Sequence, residues 1–179
     1  ALENKARIIH TMFTTENALT RLEIESPSDL PFEVEIVTPK VLDAKVSSDA
    51  VHQGVVLEAE PLTSDTLNDL AKCDLLLVLD QVTDPHNVGA ILRSAEVFGA
   101  RAVVAVQRHS APETGALAKT ASGALERQPY LRLRNLADAM TQLQGMGYLV
   151  LGLDGEAEST VEQAVAGKVN RPIALVLGA

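Results

Sequence analysis

Apolar positions along this 179-residue chain follow two different rhythms. From Asp74 onward, short unbroken apolar runs alternate with stretches in which apolar residues return every three or four positions. The runs are LLLVLD, ARAVVAV, YLRLRN (a short strand), YLVLGLD and IALVLG; the periodic stretches are Val88–Phe98, Thr114–Ala121, Leu136–Met146 and Thr160–Ala166. Apolar strands separated by amphipathic helices predict a parallel sheet covered on both faces. The first 62 residues are less regular. Lys5–Leu22 reads as a helix, a turn and a second short helix with Thr15 as its N-cap, so that ALENKARIIH starts inside a helix. FEVEIVT (Phe32–Thr38) reads as a strand closed by Pro39, Val41–Val46 as a short helix, and HQGVVLEA (His52–Ala59) as a strand entered through Gly54. The predicted fold class is therefore α/β. A small N-terminal α/β domain (1–62) and a polar linker (63–73) lead to a parallel-sheet domain (74–179).

Composition narrows these expectations. The chain is 46% hydrophobic but only 3% aromatic, so the core must rest on Val, Leu, Ile and Ala. A lone cysteine, Cys73, excludes an internal disulfide and the paired-cysteine metal sites. Its setting, AKCDLLLVLD, suggests a buried thiol at the start of a strand, in keeping with a reducing, cytoplasmic compartment. The longest apolar run, Leu75–Leu79, is far too short to cross a bilayer, and no membrane contact is expected. The net charge of −9 argues against a general nucleic-acid binder. The distribution of that charge argues the other way. Residues 1–65 hold 5 basic and 12 acidic side chains, whereas Arg93–Arg134 holds 7 basic side chains against 3 acidic ones. A locally basic surface permits RNA contact on an acidic protein.

The candidate chemistry concentrates after the LLLVLD strand, in DQVTDPHNVGAILRSA (Asp80–Ala95). Asp84-Pro85 sets a turn, Asn87 is the N-cap candidate, and Val88 is the first helical residue. Gly89 and Ala90 leave the first turn bare, so that a ligand or another backbone can approach closely. Ile91, Leu92, Ala95 and Phe98 form the core stripe, and Gly99 ends the helix as its C′ residue. Arg93, on the second turn, points along the rim. Spacing alone leaves open a plain Arg93–Glu96 surface pair, worth only ~0.3–0.5 kcal/mol. His86 is either an exposed turn residue or a contact for a ligand. His10, His52 and His109 share no ligand spacing, Asp80 and Asp84 lack a third partner, and no metal is expected. GLDGEAES follows a strand but lacks the G-x-G-x-x-G dinucleotide pattern.

DPHNVGAILRSAEVFGA closely resembles motif 1 of the SpoU (TrmH-like) family in the SPOUT superfamily. Further stretches agree in order. HQGVVLEAEP resembles the last strand of the family's small N-terminal substrate-binding domain, and KTASGA (Lys119–Ala124) a loop between helix and strand. ALVLGA (Ala174–Ala179) resembles the opening of motif 2. The resemblance implies transfer of a methyl group from S-adenosylmethionine to an RNA ribose 2′-hydroxyl. The implied fold is a parallel α/β sheet with a trefoil knot, and the implied assembly a homodimer formed through the methyltransferase domain. By motif position, Arg93 and Asn87 are the catalytic pair, Leu153, Asp154 and Gly178 border the cofactor, and His86, Arg93, Ser122 and Arg127 meet RNA. The small N-terminal domain favours a guanosine of large-subunit (23S) rRNA over tRNA. The rivals are a tRNA guanosine 2′-O-methyltransferase and a non-catalytic RNA-binding or ribosome-assembly module. Relatives continue past LVLGA with a glutamate, a glycine-rich turn and a Ser/Asn-rich third motif. The chain is accordingly expected to be a fragment that lacks the knot region, with an unfinished cofactor site and little activity of its own.

Overall fold

A computed structural model describes residues 1–46, 50–62, 66–70, 74–167 and 170–178. Cys73, Ala179 and much of the expected linker lie outside the described residues. The chain divides into two compact units, Ala1–Leu62 and Thr63–Ala179.

The first unit is built on strands β1 (Ile9–Thr14), β2 (Glu33–Ile36) and β3 (Val55–Ala59), with helices α1 (Glu16–Arg21) and α2 (Pro39–Lys45). The sheet order is β2-β1-β3; β1 is parallel to β2 and antiparallel to β3. The expected first helix is therefore wrong: the chain from Ile9 to Thr14 is the central strand. IIHTMFT is rich in β-branched and aromatic side chains, and pairing on both edges outweighs the weak helical periodicity. Met12, Phe13 and Thr14 are buried with Ala18, Leu19 and Leu42. Thr15 does cap α1, accepting from the Ala18 N–H at 3.3 Å. Pro39 closes β2 by opening α2 at its first position. Gly54 takes φ +89°, and an added Cβ would lie 2.9 Å from Thr15 Oγ1. The turn before β3 thus accepts only glycine without strain. His52 fixes this turn: its Nδ1 accepts from the Gly54 N–H at 2.9 Å, which leaves the proton on Nε2 to face Asp43 at 3.1 Å.

The second unit holds β4 (Leu75–Asp80), α3 (Pro85–Val97), β5 (Ala102–Val106), α4 (Gly115–Ala121), β6 (Tyr130–Leu133), α5 (Leu136–Gly145), β7 (Leu149–Leu153), α6 (Val161–Val165) and β8 (Ile173–Gly178). All its strand pairings are parallel, in the order β6-β5-β4-β8-β7. Alternate residues of β4 feed two cores, as the two-residue period of a strand requires. Leu79 packs with Val88, Leu92 and Ala95 of α3 and with Leu117 and Ala121 of α4. Leu76 and Val78 pack on the other face with Leu143 of α5, Tyr148 and the 3-10 turn Leu67–Leu70. The Tyr148 hydroxyl donates to the Leu70 carbonyl at 2.6 Å, which allows this phenol to be fully buried. The chain leaves β4 towards β5 and β6, then returns through β7 and β8 on the other side. The β4/β8 boundary is therefore the topological switch point, where open α/β sheets bind ligands beyond their strand C-termini.

Candidate active site at the sheet switch point

The strand register assembles one edge of this site. Asp80 at the end of β4 lies beside Gly178 of β8, and Leu177 lies beside Leu153 of β7. Gly178 and Leu153, expected at a cofactor, thus share the C-terminal edge, with Asp154 next in the chain. Asp154 makes a local turn, accepting from the Glu156 N–H at 2.9 Å. Leu153 is 42% exposed, and a Cβ added at Gly152 or Gly178 would meet nothing within 4 Å. Among the described residues, this end of the sheet presents an apolar side chain and backbone.

The other half is set by α3. Gln81 leaves β4 with φ +58°, a left-handed conformation that reverses the chain sharply, and Val82 turns back into the core. Asp84, not Asn87, is the N-cap. Its carboxylate accepts from the His86 N–H at 2.8 Å, the Val88 N–H reaches the Asp84 carbonyl at 3.0 Å, and Pro85 occupies the first helical position. The helix therefore starts one turn earlier than expected. Asn87 lies inside its first turn with an exposed side chain, and Arg93 falls on the third turn, roughly 12 Å along the axis from Pro85.

Gly89, now in the second turn of α3, resolves the choice between ligand and backbone at this bare position. An added Cβ would sit 2.7 Å from Thr120 Cβ and 2.9 Å from the Ala121 nitrogen, so α4 occupies that space. The same contact brings His86 Nδ1 to 3.3 Å from Thr120 Oγ1. Sequence reasoning misses Thr120, because a contact 34 residues away leaves no local trace. Ser122 caps α4 in the left-handed conformation, φ +50°, and is exposed. The helix end departs from expectation too. Phe98 is 77% exposed rather than in the core stripe, and Val97 is equally open. Gly99 and Ala100 donate back to Glu96 and Ala95, closing a Schellman turn that tucks Ala100 inward instead.

Charge is distributed unevenly here. Arg93 is exposed and makes no hydrogen bond or ion pair among the described residues. The Arg93–Glu96 pair left open by spacing is not formed. Glu96 is instead held by Arg127, through Nε to Oε1 and through Nη2 to Oε2 at 3.1 Å. Arg127 holds the Glu96 carboxyl below the usual carboxylate range, and Glu96 raises the Arg127 guanidinium in turn. Arg132 is also committed, donating to the Gln107 carbonyl at 2.7 Å and to Ser110 Oγ at 3.3 Å. Among the described residues, no three His, Cys, Asp or Glu side chains are grouped to hold a metal, and no helix is long and apolar enough to cross a membrane.

The SpoU rRNA methylase family model matches residues 74–179, and the model for the RNA 2′-O ribose methyltransferase substrate-binding domain matches residues 1–64. The chain belongs to the SpoU rRNA methylase family. It is 43% identical over 149 residues to the 23S rRNA (guanosine-2′-O-)-methyltransferase RlmB of Vibrio vulnificus, covering 80% of this chain and 59% of that one. With RlmB of Escherichia coli K12 it shares 40% over 152 residues, covering 82% and 61%. The chain thus spans about three fifths of these relatives' length. The fold is similar to that of the SpoU methyltransferase AviRb from Streptomyces viridochromogenes in complex with AdoMet. That match has TM-score 0.74 at 19% identity, covering 96% of this chain and 66% of that one. An AdoMet-bound rRNA methyltransferase from Sinorhizobium meliloti gives TM-score 0.72 at 20% identity, covering 96% and 64%.

Proposed function

We propose that the whole protein is an S-adenosylmethionine-dependent RNA ribose 2′-O-methyltransferase acting on a guanosine of 23S rRNA in the cytoplasm. The observation that carries this reading is Arg93: an exposed guanidinium without a partner among the described residues, on the helix that follows the switch-point strand. The 40–43% identity to 23S rRNA enzymes supports the choice of rRNA over tRNA.

A ribose hydroxyl is a weak nucleophile, and its oxygen gains negative charge as it is methylated. Arg93 stabilises that charge and grips a neighbouring phosphate with its planar fork. It acts as a fixed cation rather than a base, because an arginine pKa lies above ~12. Asn87 offers an amide uncommitted among the described residues, nearly two turns nearer the start of α3, and His86 and Ser122 supply polar groups beside α4. Arg127 is turned onto Glu96 and stands behind these contacts.

The bare β7–β8 edge suits S-adenosylmethionine, with Leu153 as an apolar wall and Asp154 and the Gly178 backbone as polar ones. The cofactor supplies a methyl group activated by its sulfonium. The N-terminal unit is assigned to substrate RNA, and the exposed Val97–Phe98 pair of α3 to a homodimer contact of the methyltransferase unit. The test incubates full-length protein with methyl-labelled S-adenosylmethionine and unmodified 23S rRNA, then maps the label. A 2′-O-methylguanosine is the expected product. Label on tRNA alone, or binding without transfer, would overturn the proposal in favour of a tRNA enzyme or a non-catalytic RNA-binding module.

A further inference from the structure

Of the four α3 positions that lie three or four residues from Arg93, Gly89, Ala90 and Val97 carry no charge and Glu96 does. On a helix such neighbours have Cβ atoms roughly 5–6 Å apart, so an Arg93–Glu96 pair is the default outcome of this sequence. The structure avoids it. Arg127 is 31 residues further along the chain and engages both Glu96 oxygens. Its approach depends on the left-handed Gly123 (φ +87°), where an added Cβ would stand 3.1 Å from Arg127 Nη1. A 3-10 turn (Ala124–Glu126) then brings the guanidinium onto α3.

We propose that Arg127 is a positioning residue that sequesters Glu96 and so keeps Arg93 unpaired for RNA. This inference rests on the methyltransferase reading above and deepens it by giving Arg93 a guard. Loss of Arg127 frees Glu96 to turn onto Arg93, which then meets RNA already neutralised. The expected penalty is about two- to threefold in methyl transfer, the occupancy change that one helix-surface ion pair produces. Exposed pairs are screened, so the penalty shrinks in high salt.

Two measurements test it. In full-length protein, Arg127→Ala lowers transfer to 23S rRNA, and the double variant Arg127→Ala/Glu96→Gln returns it to the wild-type level. A scaffold role alone would leave the double variant as poor as the single one, and that result overturns the proposal, as does an unimpaired Arg127→Ala. Carboxyl carbon NMR titration of Glu96 needs no activity. In Arg127→Ala its pKa remains depressed because Arg93 replaces Arg127, and it reaches the ordinary carboxylate value only in Arg127→Ala/Arg93→Ala. An ordinary value already in the single variant refutes the exchange. Arg93→Ala separates the two readings. If it transfers methyl groups normally, the methyltransferase assignment of Arg93 fails; if it is inactive while Arg127→Ala behaves as wild type, only the guard fails.

Discussion

Two glycines, one in α3 and one at the end of β8, show how differently these two elements are built. Gly89, on the α3 side, is buried, and a Cβ there would collide with the Thr120 side chain and the Ala121 backbone. Gly178, on the β8 side, is exposed, and a Cβ there would touch nothing among the described residues. The first glycine lets two helices meet; the second leaves a strand end bare. Among the described residues, the α3 side is packed helix against helix, and the β8 side is exposed backbone.

The largest expected effect breaks the α3 side without touching its packing. Arg93→Ala in the full-length protein should cost on the order of 100-fold or more in methyl transfer, the magnitude seen when a donor to a developing oxyanion is removed. Because the side chain is exposed and unpaired among the described residues, the urea midpoint should stay within the scatter of replicates. Activity within tenfold of wild type would remove Arg93 from the chemistry.

The glycines themselves give the second contrast. Gly89→Ala should destabilise the second unit by about 1–3 kcal/mol, since the new methyl meets backbone and a β-branched side chain that cannot yield, outweighing the ~0.5–1 kcal/mol helix gain. Gly178→Ala should leave stability unchanged. In the full-length protein it should instead weaken S-adenosylmethionine binding by about tenfold, read by calorimetry. If both variants unfold alike, or if Gly178→Ala binds normally, the two sides do not differ in the way described.

Much of the α3 side is legible in the sequence, because turn chemistry is local. Asp-Pro announces a turn after the strand, and Gly99 the end of the helix. The departures follow from the same terms. Asp84 and Asn87 are both good caps, and Pro85 decides between them because its fixed φ suits the first helical position. Periodicity places Phe98 in the core, but the Schellman turn carries Ala100 inward instead. The strand state of β1 is hidden in the sequence because it depends on partners 22 and 43 residues away, as in the pairs Thr11–Glu33 and Phe13–Val56. The His86–Thr120 and Glu96–Arg127 contacts are equally non-local, and no spacing rule reaches them. The β7–β8 edge is legible only as strands; that its glycines are open is a property of the packing.

A smaller effect sharpens the boundary between the cap and the chemistry. Asp84→Ala removes the acceptor for the His86 N–H and should cost about 1 kcal/mol of stability. Asp84→Asn keeps a capping side chain and should restore most of it. Equal losses in both variants would mean that the negative charge, and not the cap geometry, is what α3 requires at its N-terminus.

The last effect varies with pH only in alkaline solution and probes how dry the packed side is. Tyr130 is buried in the α3/α4 core, its hydroxyl donating to the Ala111 carbonyl at 3.0 Å. Burial pushes its phenol above the ordinary tyrosine value, with Ser110 and Arg132 opposing and Glu113 adding to the rise. A group whose folded pKa is raised gives stability that is fully present below its unfolded pKa, about 10, and is lost as pH climbs towards the folded value. At pH 8, Tyr130→Phe should therefore be less stable than wild type by about 1 kcal/mol, the worth of the lost hydrogen bond. As pH rises through about 10, the wild type should lose stability faster than the variant, because phenylalanine has no proton to shed. The gap between them should narrow as the pH rises. A gap that stays constant through that rise would mean that water reaches the phenol, and that the packed side of the site is open as well.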